Sequence, residues 1–274
     1  MRDVLGGLLN VLRYEPTRKR VRATLGGETV VDSVRAVLVW EPRRVVPGYA
    51  VPQEDVSAQV VPSAAISEGM DGSEGYLPEL SRRPVLDPRV PFAVRTTPGE
   101  AVELRTSAGD RSAAGFRPVD PALAGYVILS FGDFDEWFEE DDLIISHPHD
   151  PYGRIDVRGT SRRIQVLQDG QVLADSTRAR MLFETTLPTR YYLPIEDVRV
   201  PLTPTETRTT CAYKGEAAYY AISTDTGEVK DAVWTYRDPL VDATEVKNLV
   251  SFFDERFDVA IDGVVRERPR TPWS

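Results

Sequence analysis

The sequence predicts a mainly β protein: two related antiparallel β domains in tandem, each with one short helix. Three observations predict this class. Apolar and polar residues alternate over short runs, glycine-containing dipeptides separate these runs, and one segment of the chain occurs twice. Alternation with a period of two is typical of strands that are buried on one face. The 274 residues are also enough for two domains of ordinary size.

Hairpin turns are predicted at three places. In "IQVLQDGQVLADS", Asp169-Gly170 separates two alternating runs, and Gly26-Gly27 holds the corresponding place earlier in the chain. Such dipeptides tolerate the positive φ angles of a tight hairpin turn. A third hairpin is predicted around "STDTGE", between the strands "EAAYYAI" and "EVKDAVWTYR".

The repeated segment covers Leu25–Val56 and Leu167–Val198. Its matched positions follow one another in the same order in both copies: Gly27 and Gly170, Asp32-Ser33 and Asp175-Ser176, Arg35-Ala36 and Arg178-Ala179, Glu41 and Glu184, Tyr49 and Tyr192, and Glu54-Asp55-Val56 and Glu196-Asp197-Val198. Ordered matches of this kind indicate an internal repeat.

The repeat continues beyond an insertion at residues 57–91, which is rich in Gly, Pro and Ser. "GEA" at Gly99 matches "GEA" at Gly215, and "SFGDFDEWF" matches "SFFDERFDV". We therefore predict a first domain over residues 18–146, a linker over 147–160 and a second domain over 161–274. Whether the insertion forms an ordered lid is left open.

Helices are predicted at two places. Residues 1–17 form an N-terminal arm with a short helix over Asp3–Tyr14. "DATEVKNLVSFFDE" begins with Asp242, has Glu245 three residues later, and continues with apolar residues at helical spacing. An acidic residue three positions after an N-cap is typical of a capping box.

Composition excludes several classes of function. A net charge of −10 disfavours a general binder of nucleic acid or of anionic membranes, because either partner would be repelled. A single cysteine excludes an internal disulfide and a multi-cysteine zinc site. We expect a cytoplasmic protein without metal or cofactor, in which His147 and His149 belong to the linker. The oligomeric state is not predicted.

A family resemblance is carried by the second copy. Its pattern begins with Glu184, Tyr191-Tyr192, Pro194 and Glu196-Asp197-Val198, and continues with Thr210-Cys211, Tyr213-Lys214-Gly215, Trp234, Tyr236 and Asp238-Pro239. This pattern resembles the domain-of-unknown-function family numbered 427, which is catalogued as a nucleotidyltransferase-type domain. The resemblance covers nearly all of Ile164–Asp262, and the first copy looks like a diverged version.

The resemblance implies a β-tent fold, in which antiparallel sheets meet over a cleft. Nucleotidyl transfer, however, needs clustered carboxylates that hold metal ions beside a phosphate-binding turn. The string "FGDFDEWFEEDD" is the one stretch with such a cluster, and we interpret it as a solvated acidic face.

The candidate site lies in the second copy, where chemically distinctive residues replace those of the first. Aligned on "GEA", Cys211, Tyr213 and Lys214 match Arg95, Thr97 and Pro98, while Trp234 and Tyr236 match Phe116 and Pro118. The predicted ligand-binding residues are Glu184, Tyr192, Cys211, Tyr213, Lys214, Gly215, Tyr219, Trp234 and Tyr236. Aromatic residues spaced two apart on a strand share a face and can hold a ring or a cation.

Each of these residues also has a structural interpretation. Cys211 is either a nucleophile, whose thiolate Lys214 would stabilise, or a small buried apolar residue. Lys214 and Glu184 form either an anion-binding pair or a salt bridge that specifies the fold. Aromatic stripes in β proteins are more often core than cage.

Three functions remain open at this point. The first is binding of a small molecule of unknown class through the second domain. The second is catalysis, covalent or acid–base and even transferase-like, by Cys211, Lys214 and Glu184. The third is an assembly module that pairs through sheet edges. The sequence leaves open whether the protein is an enzyme.

Overall fold

The computed structural model describes residues 6–63, 74–76, 84–86, 90–107, 109–271 and 273. The chain divides into two compact units, with 1–75 and 83–150 in the first and 76–82 and 151–274 in the second. Within the described residues the fold is mainly β, and the strands pair antiparallel except for one isolated parallel bridge between Tyr236 and Lys247, so the predicted fold class is confirmed. No helix in this part of the chain has the length and apolar character needed to span a membrane.

The first unit is built from a seven-stranded and a four-stranded sheet. The seven-stranded sheet has the order β1-β4-β5-β11-β10-β9-β6, and the four-stranded sheet has the order β13-β12-β2-β3. The strands are β1 Arg13–Pro16, β2 Val21–Leu25, β3 Glu28–Ser33, β4 Val37–Trp40, β5 Gly48–Pro52, β6 Gln59–Pro62, β9 Gly99–Thr106, β10 Gly109–Pro118, β11 Tyr126–Leu129, β12 Glu136–Glu139 and β13 Asp142–Ile144. Two further strands, β7 Glu74–Tyr76 and β8 Pro84–Leu86, pair with each other.

The second unit also has a seven-stranded and a four-stranded sheet. Their orders are β14-β17-β18-β22-β21-β20-β19 and β16-β15-β23-β24. The strands are β14 Ile155–Gly159, β15 Ile164–Gln168, β16 Gln171–Ser176, β17 Arg180–Glu184, β18 Arg190–Leu193, β19 Leu202–Cys211, β20 Gly215–Thr224, β21 Gly227–Tyr236, β22 Val250–Phe252, β23 Asp258–Ile261 and β24 Val264–Val265. When the strands of each seven-stranded sheet are numbered in chain order, both sheets have the spatial order 1-2-3-7-6-5-4. The two large sheets therefore have the same topology.

Helical structure in the described residues is limited to short segments. Residues 6–8 form one α-helical turn. The 3-10 helices are Gln53–Asp55, Pro121–Leu123, Phe131–Asp133, Ile195–Asp197 and Val241–Val246.

Each unit has an apolar core that contains residues of both of its sheets. In the first unit Trp137 of β12 packs in a parallel arrangement on Tyr49 of β5, with ring centroids 5.3 Å apart. In the second unit Val166 of β15 and Phe252 of β22 belong to the corresponding core. The three predicted hairpins are present, with positive φ at Gly26, Gly27, Asp169 and Gly170.

The helix predicted from Asp242 is wrong beyond its first turn. A 3-10 helix covers Val241–Val246, and Val250–Phe252 then forms strand β22. This strand lies between β18 and β21, where Val250 and Phe252 enter the core. Its backbone hydrogen bonds to two neighbouring strands outweigh the helical spacing of a short apolar run.

The N-terminal helix is also wrong in part. Residues 1–5 lie outside the described part of the chain, and Arg13–Pro16 is strand β1, which pairs with β4. The insertion begins with a strand of the sheet, because β6 pairs with β9. Most of the segment that was considered as a lid lies outside the described residues.

The acidic string "FGDFDEWFEEDD" is not solvated throughout. Glu136 is exposed, whereas Trp137 and Glu139 on β12 are buried. The Tyr49 hydroxyl donates a hydrogen bond of 2.6 Å to Glu139 Oε1. The alternation of a strand, rather than the charge of the string, decides which carboxylates face solvent.

Strand pairing corrects two of the residue matches between the units. Tyr49 pairs with Leu38, and it is Tyr191 that pairs with Met181, at the matching point of β17. Tyr192 therefore takes the position of Ala50 in the first unit. The sequence match placed a one-residue offset between the tyrosine and Glu54-Asp55-Val56, whereas the strand pairing places this offset before the tyrosine.

The "GEA" match is displaced by two residues. In the first unit Gly99 pairs with Pro118, but in the second unit Ala217, not Gly215, pairs with Tyr236. Counting back from these pairs places Arg95 at the position of Tyr213 and Thr96 at that of Lys214. The matches of Trp234 with Phe116 and of Tyr236 with Pro118 agree with the pairing.

Candidate functional site

A row of five cross-strand neighbours crosses one face of the seven-stranded sheet in the second unit. This polar row runs through the paired residues Arg180, Tyr192, Ser251, Trp234 and Tyr219. Residues directly opposite one another on adjacent strands point to the same face of a sheet. Every member carries a polar atom on its side chain.

The first unit has apolar residues at each corresponding position. Its row consists of Val37, Ala50, Ile128, Phe116 and Ala101. The two sheets therefore share a scaffold but differ in chemistry along this line. Apolar side chains at these five positions are enough to pack the sheet of the first unit. Packing therefore does not explain why the second unit has polar atoms there.

The aromatic members of the polar row contact one another. Trp234 Nε1 donates a hydrogen bond of 3.0 Å to the Tyr192 hydroxyl, and their ring centroids are 6.1 Å apart. Burial raises the pKa of Tyr192 to about 12, so its hydroxyl is neutral at physiological pH. Tyr219 is half-buried and lies within hydrogen-bond distance of Thr209. These rings form a packed layer.

The hairpin loop between β19 and β20 brings Lys214 to this face. Cys211 pairs with Gly215, which leaves a three-residue loop of Ala212, Tyr213 and Lys214. Gly215 has a φ of +94°, and a Cβ there would lie 3.4 Å from the Asp238 carbonyl oxygen. Glycine is therefore favoured at this position by backbone conformation and by close approach of the next loop.

Lys214 forms a salt bridge with Glu184, as the sequence suggested. The two side chains are only 11% and 13% exposed. Burial lowers the pKa of Lys214, but the attraction of Glu184 outweighs it and raises this pKa well above the usual range. Lys214 is thus a permanent ammonium group at physiological pH.

Tyr236 lies near this ammonium group and is also buried. Burial raises its pKa well above the usual range, although the charge of Lys214 opposes the shift. Cys211 and Tyr213 are half-buried at the rim. The arrangement thus contains a Lys214–Glu184 ion pair and neutral hydroxyls, and a protonated lysine is not a nucleophile.

A related salt bridge occurs in the first unit. Arg95 Nη1 lies 3.1 Å from Glu41 Oε2, and the Thr96 N–H donates to Glu41 Oε1 at 3.2 Å. Glu41 matches Glu184. In both units this carboxylate contacts the loop that precedes a long hairpin, which is β9–β10 in the first unit and β20–β21 in the second. This shared contact supports a structural role for Glu184 in holding the loop.

A buried charge network next to Trp234 was missed in the sequence. Arg190 Nη1 and Nη2 donate to Glu255 at 2.8 and 2.6 Å, and Arg190 also pairs with Asp254. The guanidinium carbon lies 5.6 Å from the centre of the Trp234 ring. Thr271 donates to Glu255 at 2.6 Å. Gly48 takes the position of Arg190 in the first unit, so the network is particular to the second.

Two charged groups of this network have pKa values shifted in opposite directions. Burial raises the pKa of Asp254, with a further increase from the charge of Glu255. Burial also opposes ionisation of Glu255, but the Arg190 hydrogen bonds outweigh it and lower that pKa. The Arg190 guanidinium therefore forms ion pairs with two carboxylates.

Ser251 was also missed, because its segment was interpreted as a helix. Its side chain is fully buried, and its Oγ has no hydrogen-bond partner among the described residues. A serine between two core residues in "VSF" is the signal that a strand interpretation would have recognised.

A surface cavity of about 270 Å³ lies near the predicted residues but is lined by others. Its lining consists of Arg208, Glu216, Ala218, Arg237 and Asp238. Ala218 alternates with Ala217 and Tyr219 on β20, so the cavity is on the opposite face of the sheet from the polar row. Within the described residues, no group of three or more His, Cys, Asp and Glu side chains is placed to hold a metal ion.

Comparison with known proteins bears on the second unit. Residues 156–263 match the family model NTP_transf_9, described as "Domain of unknown function (DUF427)". No curated protein matches the chain. The segment from Asp156 to Gly263 is therefore similar to the domain-of-unknown-function family numbered 427, as its motifs predicted.

Proposed function

We propose that the second unit binds a small molecule over the polar row, with Lys214 anchoring an acidic group. The observation that carries the proposal is the contrast between the two sheets. Five cross-strand positions are polar in the second unit and apolar in the first, on the same strand order. Buried polar groups cost free energy in a fold that tolerates apolar ones, so a binding role accounts for their presence.

The proposed site consists of a charged floor and a half-exposed rim. Lys214 and Glu184 lie just beneath the surface, and Cys211, Tyr213 and Tyr219 are half-buried. Because Tyr192, Trp234 and Tyr236 are buried against one another, they do not form an open aromatic cage. We propose that they support the site from below, and that the ligand contacts the rim.

Thermal shift with a metabolite library tests this function. The library includes nucleotides, amino-acid derivatives and cyclic imides, and the variants are Lys214→Met and Trp234→Phe, the latter introducing the residue of the first unit. A ligand at ~100 times its Kd adds about 2.7 kcal/mol of stability, so a true ligand gives a clear increase in melting temperature. We expect this increase to be lost in Lys214→Met and reduced in Trp234→Phe.

The matched control is Lys247→Met, because Lys247 pairs with Asp238 at the surface with both side chains largely exposed. It removes the same charge from the same unit and should leave ligand shifts unchanged. Ligand shifts that survive in Lys214→Met, or that disappear equally in Lys247→Met, would contradict the proposed site.

A second candidate function is cysteine chemistry, because Cys211 is half-buried at the start of the three-residue loop that carries Lys214. A nearby cation stabilises a thiolate, the reactive form of cysteine. Under this alternative, iodoacetamide modifies Cys211 in the folded protein faster than it modifies a free cysteine at pH 7, and Lys214→Met slows the reaction. Mass spectrometry at timed intervals measures both rates. A thiol that reacts only after denaturation would exclude this function.

A further inference from the structure

Ser251 occupies the centre of the polar row without a hydrogen-bond partner among the described residues. It pairs with Tyr192 on one side and with Trp234 on the other. Ile128 holds the corresponding position in the first unit. Buried hydroxyl groups in native proteins are nearly always hydrogen-bonded, and the exceptions call for an explanation.

The neighbouring hydroxyls also have unused donors. Tyr192 accepts a hydrogen bond from Trp234, but within the described part of the chain its own O–H has no acceptor. Lys214 adds a permanently charged donor next to Tyr192 and Tyr236. Lys214 already donates to Glu184, so the donors without acceptors are the Ser251 and Tyr192 hydroxyls, and their complement is a group with acceptor oxygens.

We propose that Ser251 is a ligand-contacting residue whose hydroxyl binds a carbonyl or carboxylate oxygen of a small organic acid. The inference rests on the proposed function and specifies its ligand class. Entry of this oxygen requires Tyr192 and Trp234 to separate, because Ser251 has no exposed surface in the free protein. The free protein thus keeps an unsatisfied hydroxyl that the ligand satisfies.

The first test needs no ligand and compares two buried serines of the second unit. Ser176 is 3% exposed, and its hydroxyl accepts from the Arg178 N–H at 3.0 Å. We expect Ser176→Ala to lower the melting temperature, because a hydrogen bond is lost. Ser251→Ala should leave it unchanged or raise it, because only an unsatisfied polar atom is removed.

A decrease for Ser251→Ala as large as that for Ser176→Ala would overturn the inference, since the hydroxyl would then be satisfied within the free protein or by a bound water. The proposed function would remain open to its own test with Lys214→Met. The two failures are therefore distinguishable.

The second test concerns the ligand class and uses defined probes. Acetate, pyruvate, succinate and benzoate are compared with ethylamine, putrescine and benzylamine at equal ionic strength. We expect at least one carboxylate and none of the amines to raise the melting temperature of the wild-type protein. Ser251→Ala should weaken the apparent affinity for that carboxylate about fivefold, as expected for one lost hydrogen bond. Stabilisation by amines alone, by no probe, or equally in both proteins would overturn the inference.

Discussion

Replacing Arg190 by Met is expected to lower the free energy of unfolding of the second unit by about 3–5 kcal/mol. Removing one partner from a buried salt bridge leaves an uncompensated buried charge, and costs of this size are typical. Here the substitution leaves two carboxylates, Asp254 and Glu255, which are 11% and 0% exposed. It also removes the cation from the Trp234 ring. Urea denaturation monitored by tryptophan fluorescence measures the change.

Arg178→Met is the matched control for this prediction. Arg178 also contacts two carboxylates, Glu196 and Asp197, but its side chain is 58% exposed. Solvent-exposed pairs contribute about 0–1 kcal/mol, so this control should change stability little. Equal losses for Arg178→Met and Arg190→Met would show that burial does not set the strength of the network.

The network should also give a defined dependence on pH. Because the pKa of Glu255 is lowered in the folded state, its contribution to stability is present above its unfolded pKa. That contribution is lost as the pH falls through the folded value. Asp254, whose pKa is raised, acts in the opposite direction and favours the folded state when protonated. The difference in stability between wild type and Glu255→Gln should therefore shrink on acidification.

Replacing Glu184 by Gln, which leaves the Lys214 ammonium buried without its partner, should cost about 3 kcal/mol. The double variant Lys214→Met/Glu184→Gln should be more stable than either single variant, because it leaves neither charge buried without its partner. Chemical denaturation of the four proteins completes a double-mutant cycle. Additive losses would contradict direct coupling between the two side chains.

The pH dependence of this pair lies in the alkaline range. The folded pKa of Lys214 is raised, so its stabilising contribution is fully present below the unfolded value of about 10.4. It is lost as the pH rises through the folded pKa. The salt bridge should therefore be insensitive to pH between 6 and 9, which a series of melting temperatures over that range tests.

Local patterns in the sequence predicted much of this fold. Asp169-Gly170 and "STDTGE" were recognised as hairpin turns because turn residues act through their own backbone conformation. The Lys214–Glu184 pair was also proposed from the sequence, as two opposite charges within one motif, and the structure shows the contact. Alternation along β20 and β21 identified Tyr219, Trp234 and Tyr236 as candidates that share one region.

Other features depended on which strands are neighbours. Val250–Phe252 has spacing compatible with a helix, and becomes a strand because a place between β18 and β21 is available to it. With that strand misassigned, Ser251 could not be placed between Tyr192 and Trp234. The contacts of Glu255 are equally hard to predict, because its partners Arg190 and Thr271 are 65 and 16 residues away in the sequence.

The sequence by itself determined the β class, the hairpins, the similarity of the second copy to the domain-of-unknown-function family numbered 427 and most of the residues around Lys214. These depend on periodicity and on interactions within a hairpin or a motif. Only the tertiary structure decided which residues of the two units correspond, which side chains form the polar row, and how Arg190 pairs with its carboxylates. A slip of one residue reverses the face on which a side chain lies, and pairing between distant strands is what sets that register.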